Sequence, residues 1–120
     1  MSNAPARPVG PYTPAVRAGD WLVCSGQVAL KDGKLLQGGV TEQTRQCVDN
    51  VRALLESHGA RLDQVVKTTV FLTDIDDYAE MNEAYTSALG DHRPARSAVA
   101  VAGLPVGARV EIEAWAYLGS

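Results

Sequence analysis

Arg96 stands where the approach His92-Arg93-Pro94-Ala95 runs into the small, apolar string Ser97-Ala98-Val99-Ala100. A guanidinium entering such a strand is costly without an anion, and its planar fork of donors matches a carboxylate. Two acids follow in Val110-Glu111-Ile112-Glu113-Ala114, on a strand whose antiparallel return could bring either of them to the arginine. Two chemistries are therefore open. Arg96 forms a structural salt bridge with Glu111 or Glu113, or it anchors an anionic substrate while a carboxylate positions or activates water. No nucleophile elbow, phosphate loop, metal-ligand cluster or Ser-His-Asp arrangement is present. His92 reads as a loop residue, and His58 as a donor near the negative end of a helix. Cys24 and Cys47 have neither redox nor zinc spacing and read as buried thiols.

The elements that must position these groups follow from periodicity. Pro5, Pro8, Pro11 and Pro14 predict an extended arm over the first fourteen residues. Ala15 to Val28 reads as a hairpin turning at Ala18-Gly19-Asp20, with Gly26 ending or bulging its second strand. Lys31-Asp32-Gly33-Lys34 is a second turn, leading to Leu35-Leu36 and a break at Gly38-Gly39. Cys47, Val51, Leu54 and Leu55 share one face of a helix over residues 41–58, with Thr41 as the expected N-cap, Gly59 as the C′ residue and Asn50 off the apolar face. Val65 to Leu72 has the pattern of a central strand covered on both faces. Asp74-Ile75-Asp76-Asp77 then supplies a capping residue and N-terminal acids for a second helix whose Tyr78, Met81, Tyr85 and Leu89 form a core stripe ending at Gly90. Ser97 to Ala102 and Arg109 to Leu118 are the last strands, joined by a turn at 104–107. The final one alternates, with Val110, Ile112, Ala114 and Ala116 on one face and Glu111, Glu113, Trp115 and Tyr117 on the other.

This order makes an α+β two-layer domain over residues 1–120 with both helices on one sheet face. The small apolar residues of the late strands then call for a partner subunit on the other. The chain has 120 residues, enough for one core that buries about two thirds of the unfolded surface. A net charge of −3 and scattered basic residues disfavour a nucleic-acid partner. With no apolar run of membrane-spanning length and no apolar signal-peptide core after Met1, the expectation is a cytoplasmic protein with no membrane partner.

Six strings, Gly10-Pro11-Tyr12, Ser25-Gly26-Gln27, Gln46-Cys47-Val48-Asp49-Asn50-Val51, Val66-Lys67-Thr68-Thr69-Val70-Phe71, Pro94-Ala95-Arg96-Ser97 and Val110-Glu111-Ile112-Glu113-Ala114, occur in the order and spacing of the RidA/YjgF family. The resemblance spans nearly the whole chain. It implies a chorismate-mutase-like α+β fold, a mixed sheet with two helices on one face, assembled as a homotrimer with three sites at subunit interfaces. It also implies hydrolysis of reactive 2-imino or enamine acids to 2-oxo acids and ammonia, without metal or organic cofactor. Carried over residue by residue, Arg96 would hold the substrate carboxylate and Glu111 would orient or activate water. Tyr12 would wall the pocket, and Ser25, Gly26, Asn82 and the backbone carbonyl of Ala98 would line it. Many members of the family have cysteine where this chain has Ala98, so no thiol there can be essential. The connection from Leu89 to Arg96 is also shorter than in those members, which bears on the pocket rim. Two other readings attach to the family: a non-catalytic trimeric ligand binder or holdase chaperone, and an endoribonuclease, which the acidic pI disfavours.

Overall fold

The computed structural model describes Pro5 and residues 7–119; the expected arm therefore lies partly outside the described residues. Its described part is bent, not simply extended, because Tyr12 N–H turns back to Gly10 O at 2.9 Å. Strand β1 (Ala15–Ala18) and strand β2 (Trp21–Gln27) form the expected hairpin around Gly19, at φ +61°. The pairing of β2 slips between Cys24 and Gln27, so the strand bulges around Gly26, one of the two outcomes its sequence position predicted. Short strands β3 (Leu30–Lys31) and β4 (Lys34–Leu35) are joined by Asp32 and Gly33, both at positive φ, the geometry that the primed hairpin turns require.

Helix α1 (Val40–Glu56) starts earlier than expected. Its N-cap is Gly39, not Thr41, because the Glu42 carboxylate reaches back to accept from Gly39 N–H at 2.8 Å. The other end behaves as predicted. Gly59 N–H returns to Glu56 O and Ala60 N–H to Leu55 O, with Gly59 left-handed at φ +76°. His58 Nδ1 lies 3.1 Å from Leu54 O, a local contact at the helix end. Asn50 is buried, against expectation: its amide donates to Val28 O at 2.9 Å and Leu30 O at 3.0 Å while Gln46 donates to its carbonyl. A residue read as polar surface thus ties α1 to the segment that follows Ser25-Gly26.

Strand β5 (Val65–Leu72), helix α2 (Tyr78–Leu89), strand β6 (Ala95–Ala100) and strand β7 (Val110–Tyr117) complete the chain. The third of these begins and ends two residues before the expected Ser97–Ala102. The sheet order is β1-β2-β7-β5-β6, antiparallel except for β5 and β6, which α2 connects. Both helices cover one face. Val110, Ile112, Ala114 and Ala116 of β7 point into that layer and are buried with Leu22, Val70, Leu72, Leu54, Leu55 and Met81. This is the expected α+β mixed sheet. The other face lies open in the single chain, with Trp21, Trp115 and Tyr117 in edge-to-face contact on it and Val16 and Val99 exposed. The expectation that β5 is covered on both sides therefore fails for one chain, since Lys67, Thr69 and Phe71 keep partial exposure. Among the described residues no helix is long and apolar enough to cross a membrane.

Candidate active site

The sheet register decides where each candidate residue points. Residues directly opposite one another on paired strands share a face. Arg96 lies in a row with Thr68 and Ala114, both buried beneath the helices, so its side chain leaves the sheet on the helix side. Because β6 is an edge strand, that side chain reaches over the rim to α2. Arg96 Nη2 donates to Tyr78 Oη at 3.1 Å, and Nη1 faces Met81 Sδ at 3.8 Å. Its guanidinium carbon stands 5.0 Å from the Tyr85 ring centroid and 5.6 Å from that of Tyr78, within cation–π range of both. Tyr85 is itself fixed by a 2.6 Å bond between its hydroxyl and Thr68 Oγ1. Tyr78, predicted as core, is 42% exposed and belongs to this rim.

The salt bridge to Glu111 or Glu113 is absent. Ion pairs among the described residues join Arg17 to Asp20, Arg52 to Asp49, Arg61 to Asp63 and Arg109 to Asp77, and none involves Arg96. Its charge is held by two aromatic faces and a phenol oxygen, so the fork keeps capacity for an outside anion. Asn82 lies at i+4 from Tyr78 on the same stripe of α2, and its Oδ1 is buried without a partner. Ala98, two residues beyond Arg96 on the same strand, shares its face and packs against the core.

The second group of candidates lies on the opposite side of the sheet. Glu111 is paired with Phe71, which is paired in turn with Val99, and this row faces away from the helices. Its carboxylate lies directly over Gly26: a Cβ on residue 26 would stand 2.6 Å from Glu111 Cδ and 2.8 Å from Oε2. Only glycine leaves room for it. Burial, and then the like charge of Glu113 two residues on, push the Glu111 carboxyl above its ordinary value. Beside it, Ser25 Oγ is buried with no partner, while Ser25 N–H holds Pro14 O at 2.8 Å and so docks the arm. Tyr12 stands exposed on that arm, its hydroxyl accepting from Val9 N–H at 3.3 Å.

One chain thus brings together two halves and not the whole. Arg96, Asn82 and Ala98 form one cluster, and Ser25, Gly26 and Glu111 form another on the other face; Tyr12 stands apart on the exposed arm. Neither thiol competes for a role. Cys24 is buried and its thiol is pushed up to about 11, and burial raises that of Cys47 still further. His92 Nε2 sits 2.7 Å from Val65 O, a structural contact at the start of β5.

Residues 1–118 match the family model described as Endoribonuclease L-PSP. The chain belongs to the RidA/YjgF family. Among the family's members, the 2-iminobutanoate/2-iminopropanoate deaminase of Mus musculus is 43% identical over 98% of this chain and 88% of its own length. The crystal structure of RidA from the Antarctic bacterium Psychrobacter sp. superposes with a TM-score of 0.88 at 40% identity, covering 98% of this chain and 96% of that one. E. coli TdcF, solved with bound serine, gives a TM-score of 0.91 at 33% identity over 99% and 97% of the two chains. The fold expected from the family resemblance is the fold observed.

Two features of the site were not read from the sequence. The aromatic cradle of Arg96 was missed because Tyr78 and Tyr85 share the stripe of a core-facing helix, and periodicity cannot tell a core tyrosine from a rim one. The Arg109–Asp77 pair, with both carboxylate oxygens at 3.0–3.1 Å from Nη2, joins residues 32 positions apart and left no local signal.

Proposed function

We propose that this protein is an enamine/imine deaminase that adds water across the C=N bond of a small 2-imino acid and releases a 2-oxo acid and ammonia. The observation that carries this reading is Arg96, a part-exposed guanidinium at the sheet rim that, among the described residues, has no carboxylate on it. Its fork would take the substrate carboxylate in two parallel charge-assisted bonds, fixing the imine carbon. Glu111, with its raised carboxyl, suits a group that orients a water molecule and takes its proton as oxygen attacks that carbon. The tetrahedral adduct then collapses as nitrogen leaves with the proton returned to it, so water and iminium acid become oxo acid and ammonium. Tyr12 and the Ser25-Gly26 segment would wall the pocket beside Glu111; Asn82 and the Ala98 backbone would line it beside Arg96. The names of the murine deaminase and of the serine-bound TdcF support a small amino-acid-derived substrate.

Since Arg96 and Glu111 leave opposite faces of one sheet, a single substrate meets both only where two chains join. A homotrimer with its open sheet faces turned inward supplies that geometry three times. The ribonuclease in the family model's description finds little support here, because a net charge of −3 with scattered basic residues disfavours phosphate binding. The reading is tested by generating the imine in place with an amino-acid dehydratase or oxidase and following ammonia and oxo-acid release. Wild type should accelerate release, and Arg96→Ala and Glu111→Gln should each lose at least about 100-fold of that acceleration. Full activity in Arg96→Ala would abandon the anchor, and client protection without catalysis would favour a holdase.

A further inference from the structure

Tyr78 has a property that the proposed mechanism does not use. Its oxygen accepts from Arg96 Nη2 at 3.1 Å, its ring lies 5.6 Å from the guanidinium carbon, and the residue is 42% exposed. A phenol that accepts one hydrogen bond still carries a donor. The hydrogen bonds of the described residues give that O–H no acceptor, so it is free to turn towards whatever anion the guanidinium takes up. Tyr85 differs in this respect. Its hydroxyl is engaged with Thr68 Oγ1 at 2.6 Å in the buried layer, which leaves only its ring face to the arginine.

The two tyrosines therefore divide the task of holding one cation. Tyr85, locked through Thr68, is a fixed platform beneath the guanidinium. Tyr78, seven residues earlier on the same stripe of α2 and at the solvent edge, combines a second aromatic face with a hydroxyl beside the guanidinium. We propose that Tyr78 is a substrate-binding residue that completes the anion site, its O–H donating to the substrate carboxylate alongside the N–H groups of Arg96. The ligand class is a small 2-substituted carboxylate, bound by three convergent donors from one arginine and one phenol. This rests on Arg96 being the substrate anchor.

The test compares Tyr78→Phe, which keeps the ring and removes the hydroxyl, with Tyr78→Ala, which removes both, and with Arg96→Ala. KM and kcat come from the in-place imine assay. Direct binding is titrated with 2-oxobutanoate and with its uncharged primary amide. Tyr78→Phe is expected to raise KM about tenfold, with kcat changed much less, and to weaken 2-oxobutanoate by a similar factor while leaving the weaker amide binding in place. Tyr78→Ala should weaken 2-oxobutanoate further. Wild-type KM and 2-oxobutanoate affinity in Tyr78→Phe, alongside an inactive Arg96→Ala, would overturn the role of Tyr78 alone. Equal weakening of acid and amide would also overturn it, since a general loss of packing does not discriminate charge. Wild-type activity in Arg96→Ala would instead remove the anchor reading itself. If Tyr78→Ala does not fold, Tyr78→Phe with an unchanged melting temperature carries the comparison.

Discussion

At Glu111, two physical effects act in one direction. Desolvation disfavours the carboxylate, and Glu113 on the same sheet face adds repulsion, so the proton is held to a higher pH than on an ordinary glutamate. If the ionised form takes the proton of water, the acid limb of the kcat/KM profile lies above the usual carboxylate range, and Glu113→Gln should move it to lower pH. A limb unmoved in Glu113→Gln would remove that charge from the account. Linkage gives a second expectation. A carboxyl whose folded value is raised contributes stability below its unfolded value and loses that contribution as pH rises through the folded one. Above the folded value the ionised Glu111 is therefore unfavourable for folding, and Glu111→Gln should be inactive yet no less stable than wild type in urea denaturation there. Gly26 belongs to the same argument. With a new Cβ at 2.6 Å from Glu111 Cδ, Gly26→Ala must displace the carboxylate, and an activity loss of about tenfold or more is expected in a folded protein.

The elements around the site are held by contacts of unequal legibility. The hairpins, both helices and the two faces of β7 were readable because apolar spacing and turn glycines report local geometry, as at Gly19, Asp32-Gly33 and Gly59. The start of α1 was not, since Thr41 satisfies a propensity rule that Glu42, reaching back to Gly39, overrides. Asn50 was misread for a similar reason: its two carbonyl partners are Val28, just after β2, and Leu30 at the start of β3, and a helical wheel contains no information about them. Gly59 allows a clean test at this scale. At φ +76° with open space around it, Gly59→Ala adds no clash and should cost about 1 kcal/mol from backbone strain alone, with activity retained. The Arg109–Asp77 pair ties the start of β7 to the N-terminus of α2, which carries Tyr78 and Asn82. Asp77 is 13% exposed and Arg109 is 44% exposed, so solvent discounts the pair; Asp77→Asn should cost about 1 kcal/mol, read as a lowered urea midpoint at unchanged m.

For the whole molecule, the decisive fact is that the sequence offers Arg96 and Glu111 as candidates but cannot show that they leave the sheet in opposite directions. Arg96 shares its row with Thr68 and Ala114 beneath the helices, whereas Glu111 shares its row with Phe71 on the open face. The aromatic group of Trp21, Trp115 and Tyr117 on that open face is apolar surface that an assembly would bury. If each site takes Arg96 from one subunit and Glu111 from the next, Arg96→Ala and Glu111→Gln are defects in different halves. Two inactive proteins should then rescue each other. In a trimer reassembled at random from equal amounts, a site is intact only where a chain with its arginine precedes a chain with its glutamate. That ordering occurs at roughly a quarter of the interfaces, so about a quarter of wild-type activity should return after joint unfolding and refolding. Mixing the folded variants without exchange should return none. If both residues served one site within a single chain, every chain would lack one of them and co-refolding would restore nothing, so this measurement separates an interface-built pocket from an internal one.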